Sequence, residues 1–131
     1  MRPDVLYLIL CDDARIDPNN LLRINIYGLM TRIRSTAIPP FPVMQPLLSA
    51  LLVLSGCQGT GLLTLRIVRS EDGSVVFRNR PRPVRFAGDP SESIGITFRV
   101  RNCSFPAAGV YWVEIEYDGT ILIRQRLLLT D

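Results

Sequence analysis

The chain is 131 residues long, enough for one domain whose core needs no disulfide or metal staple. It contains no histidine, which removes Ser-His and Cys-His catalysis, histidine-ligated zinc or haem, and imidazole pH switching. All fifteen basic residues are arginine, but twelve acids bring the net charge down to +3, too little to mark a nucleic-acid surface by itself.

Apolar residues make up 47% of the chain, and the mean hydropathy is positive at +0.21. That is rich for a soluble monomer, so part of the apolar surface is expected to lie under a partner. Cys11, Cys57 and Cys103 are far apart and odd in number. They fit no CxxC metal or redox pattern and read as reduced thiols of a cytoplasmic protein.

Residues 5–10, Val-Leu-Tyr-Leu-Ile-Leu, predict a first strand at a sheet centre. They do not read as a signal peptide: the run is short, Asp4 stands where positive charge is needed, and Leu10 is too large to precede a lipoprotein cysteine. A polar turn follows at 11–20. Its Asp12, Asp13 and Asp17 are candidate ligands for a hard cation such as Ca²⁺. Their spacing departs from the D-x-D-x-D-G loop and Arg15 intervenes, so turn and cap chemistry is the simpler expectation.

Residues 21–33 alternate Leu22, Ile24 and Ile26 against Arg23, Asn25 and Tyr27, which predicts a strand with a bulge or bend at Gly28. Several segments carry a resemblance: Leu-Cys-Asp-Asp-Ala-Arg at 10–15, Ile-Tyr-Gly-Leu at 26–29, Ile-Pro-Pro-Phe-Pro at 38–42, and Gly-Val-Tyr-Trp-Val-Glu-Ile-Glu-Tyr-Asp-Gly at 109–119. Together they resemble a family of uncharacterised bacterial immunoglobulin-like β-sandwich proteins. The likeness covers most of the chain and implies the fold; it brings no catalytic residue, ligand or activity.

Pro39, Pro40, Pro42 and Pro46 predict an extended crossing between sheets. Residues 47–54 read as a buried strand. The lipoprotein-like Leu-Ser-Gly-Cys at 54–57 lies in mid-chain, without a basic residue between Met44 and Cys57. The glycine cluster at 56–61 resembles a phosphate cradle, but a strand (62–69) follows instead of the helix such a cradle needs, so a turn is expected. A second Asp-Gly turn at 72–73 leads to residues 75–77. Next comes the one local basic segment, 78–85, with Arg78, Arg80, Arg82 and Arg85. Planar guanidinium groups there could take phosphate or carboxylate, although a solvated, proline-guarded edge is the ordinary reading.

Residues 94–100 alternate again, with Ile94, Ile96, Phe98 and Val100 inward. The final hairpin turns at Asp118-Gly119. A three-residue loop is expected there, setting Ile115 opposite Ile121 and Val113 opposite Ile123, with Trp112 against Arg124 on the outer face. Trp112, Leu122 and Leu128 would then form an apolar row outside, which predicts a homodimer through that sheet.

These elements predict a single all-β domain, residues 1–131: an antiparallel, immunoglobulin-like β-sandwich of seven to nine strands. The functional expectation is a non-catalytic interaction or assembly module with a protein partner, no cofactor and no membrane segment. Anion or nucleic-acid binding through Arg78 to Arg85, or a carboxylate metal site at Asp12, Asp13 and Asp17, are the alternatives. Thiol titration of the denatured, non-reduced chain should count three thiols; a count of one would reveal a disulfide.

Overall fold

The described residues form ten strands, and no helix occurs among them. The computed structural model describes residues 2–131, with side-chain surroundings for all of these except Leu21 and Leu22. The inward position expected of Leu22 lies outside the described residues. The strands are β1 (Asp4–Asp17), β2 (Asn20–Leu29), β3 (Arg32–Arg34), β4 (Val43–Ser55), β5 (Gly59–Arg69), β6 (Val75–Arg78), β7 (Arg82–Phe86), β8 (Ile94–Phe105), β9 (Gly109–Tyr117) and β10 (Thr120–Thr130). The surplus over the expected count comes from short pieces, among them β3, which runs parallel to β10.

One sheet has the order β2-β1-β4-β8, and the other β3-β10-β9-β5-β6, with β7 also paired to β5. Their inner faces meet in one core. Leu8, Leu10, Leu52 and Phe98 come from the first sheet; Leu63, Leu65, Ile115 and Leu127 come from the second. Each such side chain contributes about 1.5–3 kcal/mol on full burial. The run at 47–54 is β4, central in its sheet, as expected. Of the glycine cluster at 56–61, Gly56 lies in the bend before β5, whereas Gly59 and Gly61 already belong to that strand, so the expected turn covers only its first part. The proline crossing carries two cis peptide bonds, Ile38–Pro39 and Phe41–Pro42.

The final hairpin departs from the expected register. Tyr117 pairs with Thr120 across a two-residue turn in which both Asp118 (φ 48°) and Gly119 (φ 85°) are left-handed, the backbone of a type I′ turn. Left alone, that turn would place Arg124 opposite Val113. A bulge between Ile121 and Ile123 prevents it, inserting Leu122 and bringing Ile123 opposite Ile115 and Arg124 opposite Glu114. The stacking of Arg124 over Trp112 holds as expected, at 4.6 Å to the ring centroid, although the direct partner of Trp112 is Arg126.

The first sheet coils on itself. β2 and β8 are its opposite edges, yet a Cβ placed on Gly95 of β8 would come within 2.7 Å of Ile24 Cδ1 on β2. The hairpin formed by the far half of β1 with β2, here termed the arm, therefore folds over the outer face of β4 and β8. Gly28 sits at the bend. Its φ is 64°, and a Cβ there would overlap the Asp12 carboxylate. The register of β1 with β2 is unbroken on both sides of this point, so Gly28 is a bend rather than a bulge. Gly28→Ala should cost about 1–2 kcal/mol from left-handed backbone alone, as at Gly73 (φ 72°), where a Cβ meets nothing. It should cost more through Asp12, and Asp12→Ala in the same chain should recover that excess. Denaturant titration of the unmodified protein, the single variants Gly28→Ala, Gly73→Ala and Asp12→Ala, and the double variant checks this; strictly additive costs would show that Asp12 does not press on Gly28.

Candidate functional site

The coil of the first sheet makes a groove. Arg99, on the outer face of β8, donates from Nε to Asp13 Oδ1 at 3.0 Å and from Nη2 to the Ala14 carbonyl at 2.9 Å. Arg15 Nε donates to the other Asp13 oxygen at 2.7 Å. Ser49 Oγ on β4 donates to the Asp12 carbonyl at 3.0 Å. Beneath these bonds Cys11, Ala14 and Leu51 are buried, with Ile9, Ile24 and Val53 packed on them. The space beside this cluster measures about 870 Å³, within the range of ligand sites. Its floor includes Ile9, Leu51 and Val53, its wall Ile24 and Ile26, and its charged side chains are Arg15, Arg82 and Arg99. Around it Tyr7 is 60% exposed, Ile16 61% and Ile26 40%.

The three aspartates expected as possible metal ligands do separate work. Asp13 holds the arm. Asp12 lies over Gly28, and Asp17 accepts the Asn19 amide at 2.9 Å in the turn. Among the described residues no group of three or more His, Cys, Asp or Glu could hold a metal ion. The hydrogen bonds from Arg15, Ala14 and Arg99 keep the Asp13 carboxyl below its usual value of 3.8.

The basic segment is exposed at Arg78, Arg80, Arg82 and Arg85. Arg78 stands opposite Arg66 in the ladder, while the Asn79 side chain accepts the Leu65 amide at 2.8 Å and fixes the loop. Arg82 alone reaches the groove. Its Nη1 donates to the Thr97 carbonyl at 2.8 Å, and its guanidinium lies 5.5 Å over the Phe98 ring. It thus ties β7 of one sheet to the free edge of β8 in the other.

The outer face of the second sheet is of another kind. Glu114 is directly opposite Arg66 on one side and Arg124 on the other. Its two oxygens accept from their Nε atoms at 2.8 and 2.9 Å, with Glu116 3.3 Å from Arg66 Nε. The Glu114 side chain is only 4% exposed. This ladder satisfies a buried carboxylate on both sides, which such burial requires. The apolar row expected beside it is not there as drawn. Leu122 packs against the core, Trp112 is half-buried under Arg124, and Leu128 is also half-buried.

The cysteines are buried and no disulfide joins them. Burial pushes the Cys103 thiol up to about 11. Burial, with Asp13 and Asp12 nearby, raises Cys11. Cys57 lies 3.9 Å from the Tyr117 hydroxyl, and burial together with that thiol pushes Tyr117 up to about 12. The Arg99 charge near Cys11 is outweighed by burial and the two aspartates, and burial alone acts on Cys103, so neither thiol is lowered as a nucleophilic one is.

Two sheets sharing one core, an apolar groove on one outer face and a charged ladder on the other define an all-β, two-sheet domain. Residues 6–130 match the model of a Family of unknown function (DUF6941), and the chain belongs to that family. No curated protein matches it. Among solved structures it is similar to the Pseudomonas fluorescens alkylpurine DNA glycosylase AlkC bound to DNA containing an abasic site analog. The TM-score is 0.49 at 11% identity, over 95% of this chain and 30% of the other. It is similar also to a β-D-glucoside glucohydrolase from Trichoderma reesei, with TM-score 0.49, 12% identity, 98% of this chain and 19% of the other. The chain thus spans well under half the length of either protein.

The groove escaped the sequence reading, though its signal was present: residues 5–10 and 47–54 are apolar on both faces, so each strand has a second face to cover. Because Asp13 ionises below its ordinary value, its hold on the arm is complete above 3.8 and fades as the pH falls through the lower folded-state value. The Ala14 amide, which donates to Asp13 Oδ1 at 2.9 Å, should report this in an NMR titration, with a midpoint below 3.8. Asp13→Asn should abolish that step. A midpoint at or above the ordinary value would show the carboxylate is not held.

Proposed function

We propose that this domain is a non-catalytic interaction module, immunoglobulin-like in architecture, whose docking surface is the groove under the arm. One observation carries the reading: Tyr7, Ile16 and Ile26 stand around a single cavity with 40–61% of their surface exposed. Scattered exposed apolar residues need no explanation, but a contiguous set around a concavity marks a binding surface. The polar side chains lining the groove are arginine, serine, threonine and Tyr7, which supply neither a nucleophile with its base nor an acid/base pair. The immunoglobulin-like assignment is supported by Tyr111, whose hydroxyl donates to the Ala107 carbonyl four residues upstream at 2.8 Å, the bond of a tyrosine corner. The three buried cysteines, none joined to another in a disulfide, support a reducing, cytoplasmic setting.

The partner is a protein, and a second copy of the chain is one form it can take. With Leu122 turned inward, a homodimer would use the arm instead of the last hairpin. A photo-crosslinking amino acid at position 26, introduced in cells that make the protein, should capture one discrete species. The same group at position 71, in the exposed turn after β5, should capture none. Equal products from both positions, or none from position 26, would overturn the reading. Equilibrium sedimentation then identifies a self-partner, since a monomer of 14.7 kDa assigns the face to a different chain.

A further inference from the structure

We infer that the occupant of the groove is an extended peptide segment that sets a carboxylate beside branched or aromatic apolar residues. This rests on the docking reading above and adds the chemistry of the partner. The first ground is charge. Arg15, Arg82 and Arg99 line the groove, with no Asp or Glu among the lining residues. Arg15 and Arg99 share Asp13, so together these groups leave a surplus of positive charge. The surplus is concentrated on Arg82. Among the described residues no carboxylate lies within ion-pair distance of it, and its one hydrogen bond, to Thr97, uses one of five guanidinium donors. A guanidinium lining an apolar groove can meet a carboxylate that arrives with an apolar neighbour, because the planar fork can make paired charge-assisted bonds as water leaves.

The second ground is shape. The exposure of Tyr7, Ile16 and Ile26 leaves the groove open along its length, as suits a chain laid in from solvent. β8 is the last strand of its sheet, and the bond from Arg82 shows that the Thr97 carbonyl points out of that edge. Alternation along the strand gives Gly95 and Arg99 the same sense. A segment lying there meets the outward backbone of Gly95 and Arg99 on one side, with the Thr97 carbonyl held by Arg82, and the apolar floor on the other, the conditions for strand addition with side-chain pockets. Gly95 lets Ile24 of the arm come down onto β8, since a Cβ there would crowd it, and so fixes one end of the groove.

The test is selection of a random linear peptide library displayed on phage, with counter-selection against the Ile26→Arg protein. Enriched peptides should carry Asp or Glu within a few positions of Leu, Ile, Val or Phe. A labelled synthetic copy should lose about tenfold in affinity against Arg82→Glu, and again on raising the salt. A copy with Lys in place of its acid should regain binding to Arg82→Glu alone, a rescue that mere loosening of the fold would not produce. Should Arg82→Glu fail to fold, Arg82→Gln serves for the loss, and Asp-to-Asn or Glu-to-Gln replacement in the peptide must give the same loss on the unmodified protein. Enriched peptides without an acid, or affinity indifferent to residues 26 and 82, would overturn the inference. So would saturable binding of dodecanoate to the same groove with no peptide recovered. If position 26 still crosslinks a partner in any of these cases, the docking surface stands and only the proposed occupant falls.

Discussion

Asp13 sits between two guanidinium groups, one two residues away on its own strand and one 86 residues away on β8. That shared carboxylate determines where the arm lies. Exposed ion pairs contribute little because solvent screens them, and the Arg15 side chain is 71% exposed, so the bonds alone would not hold a hairpin down. Burial of Cys11, Ala14 and Leu51 supplies the attraction; the ion pairs fix the direction from which the arm approaches. Had the arm stood away, Leu51 and Val53 would face water and the sheet would have a flat apolar back instead of a groove.

The two outer faces solve the same problem by different means. On the second sheet the ladder Arg66, Glu114 and Arg124 covers the strands with paired charge, and each member is opposite its partner in the backbone register. Cross-strand pairs of this sort stabilise a sheet while giving an apolar partner nothing to bury. On the first sheet, Thr97 and Arg99 border aliphatic side chains, and the chain's own arm covers only part of them. The molecule therefore has one finished face and one unfinished face.

Much of this was legible in the sequence wherever a local period decides the outcome. The inward set Ile96, Phe98 and Val100 is buried as read, and the Asp-Gly turn and the bend at Gly28 fall where the residues place them. In the last hairpin the faces beyond the bulge were right and the register was wrong, while Leu122, expected outside, packs against the core and Ile121, expected inside, is exposed. Expected and observed alignments differ by two residues over most of β10, and a shift of two preserves which side chains point inward, so Leu127 and Leu129 are buried either way. The arm was not legible, because its direction depends on Arg99, far away in the chain, and on the Asp12 carboxylate above Gly28. The aspartates drew attention as oxygen ligands, and their actual partners are guanidinium and amide groups.

The bulge at Leu122 separates the turn from the strand that follows it. Since the extra residue absorbs the mismatch, the length of the loop and the alignment of β10 are independent: a sequence lacking one residue there and another with a longer loop can reach the same pairing of Tyr111 with Leu127. Insertions and deletions near the tip of this hairpin are thereby neutral to the core, and relatives of different lengths in this region can share one interior.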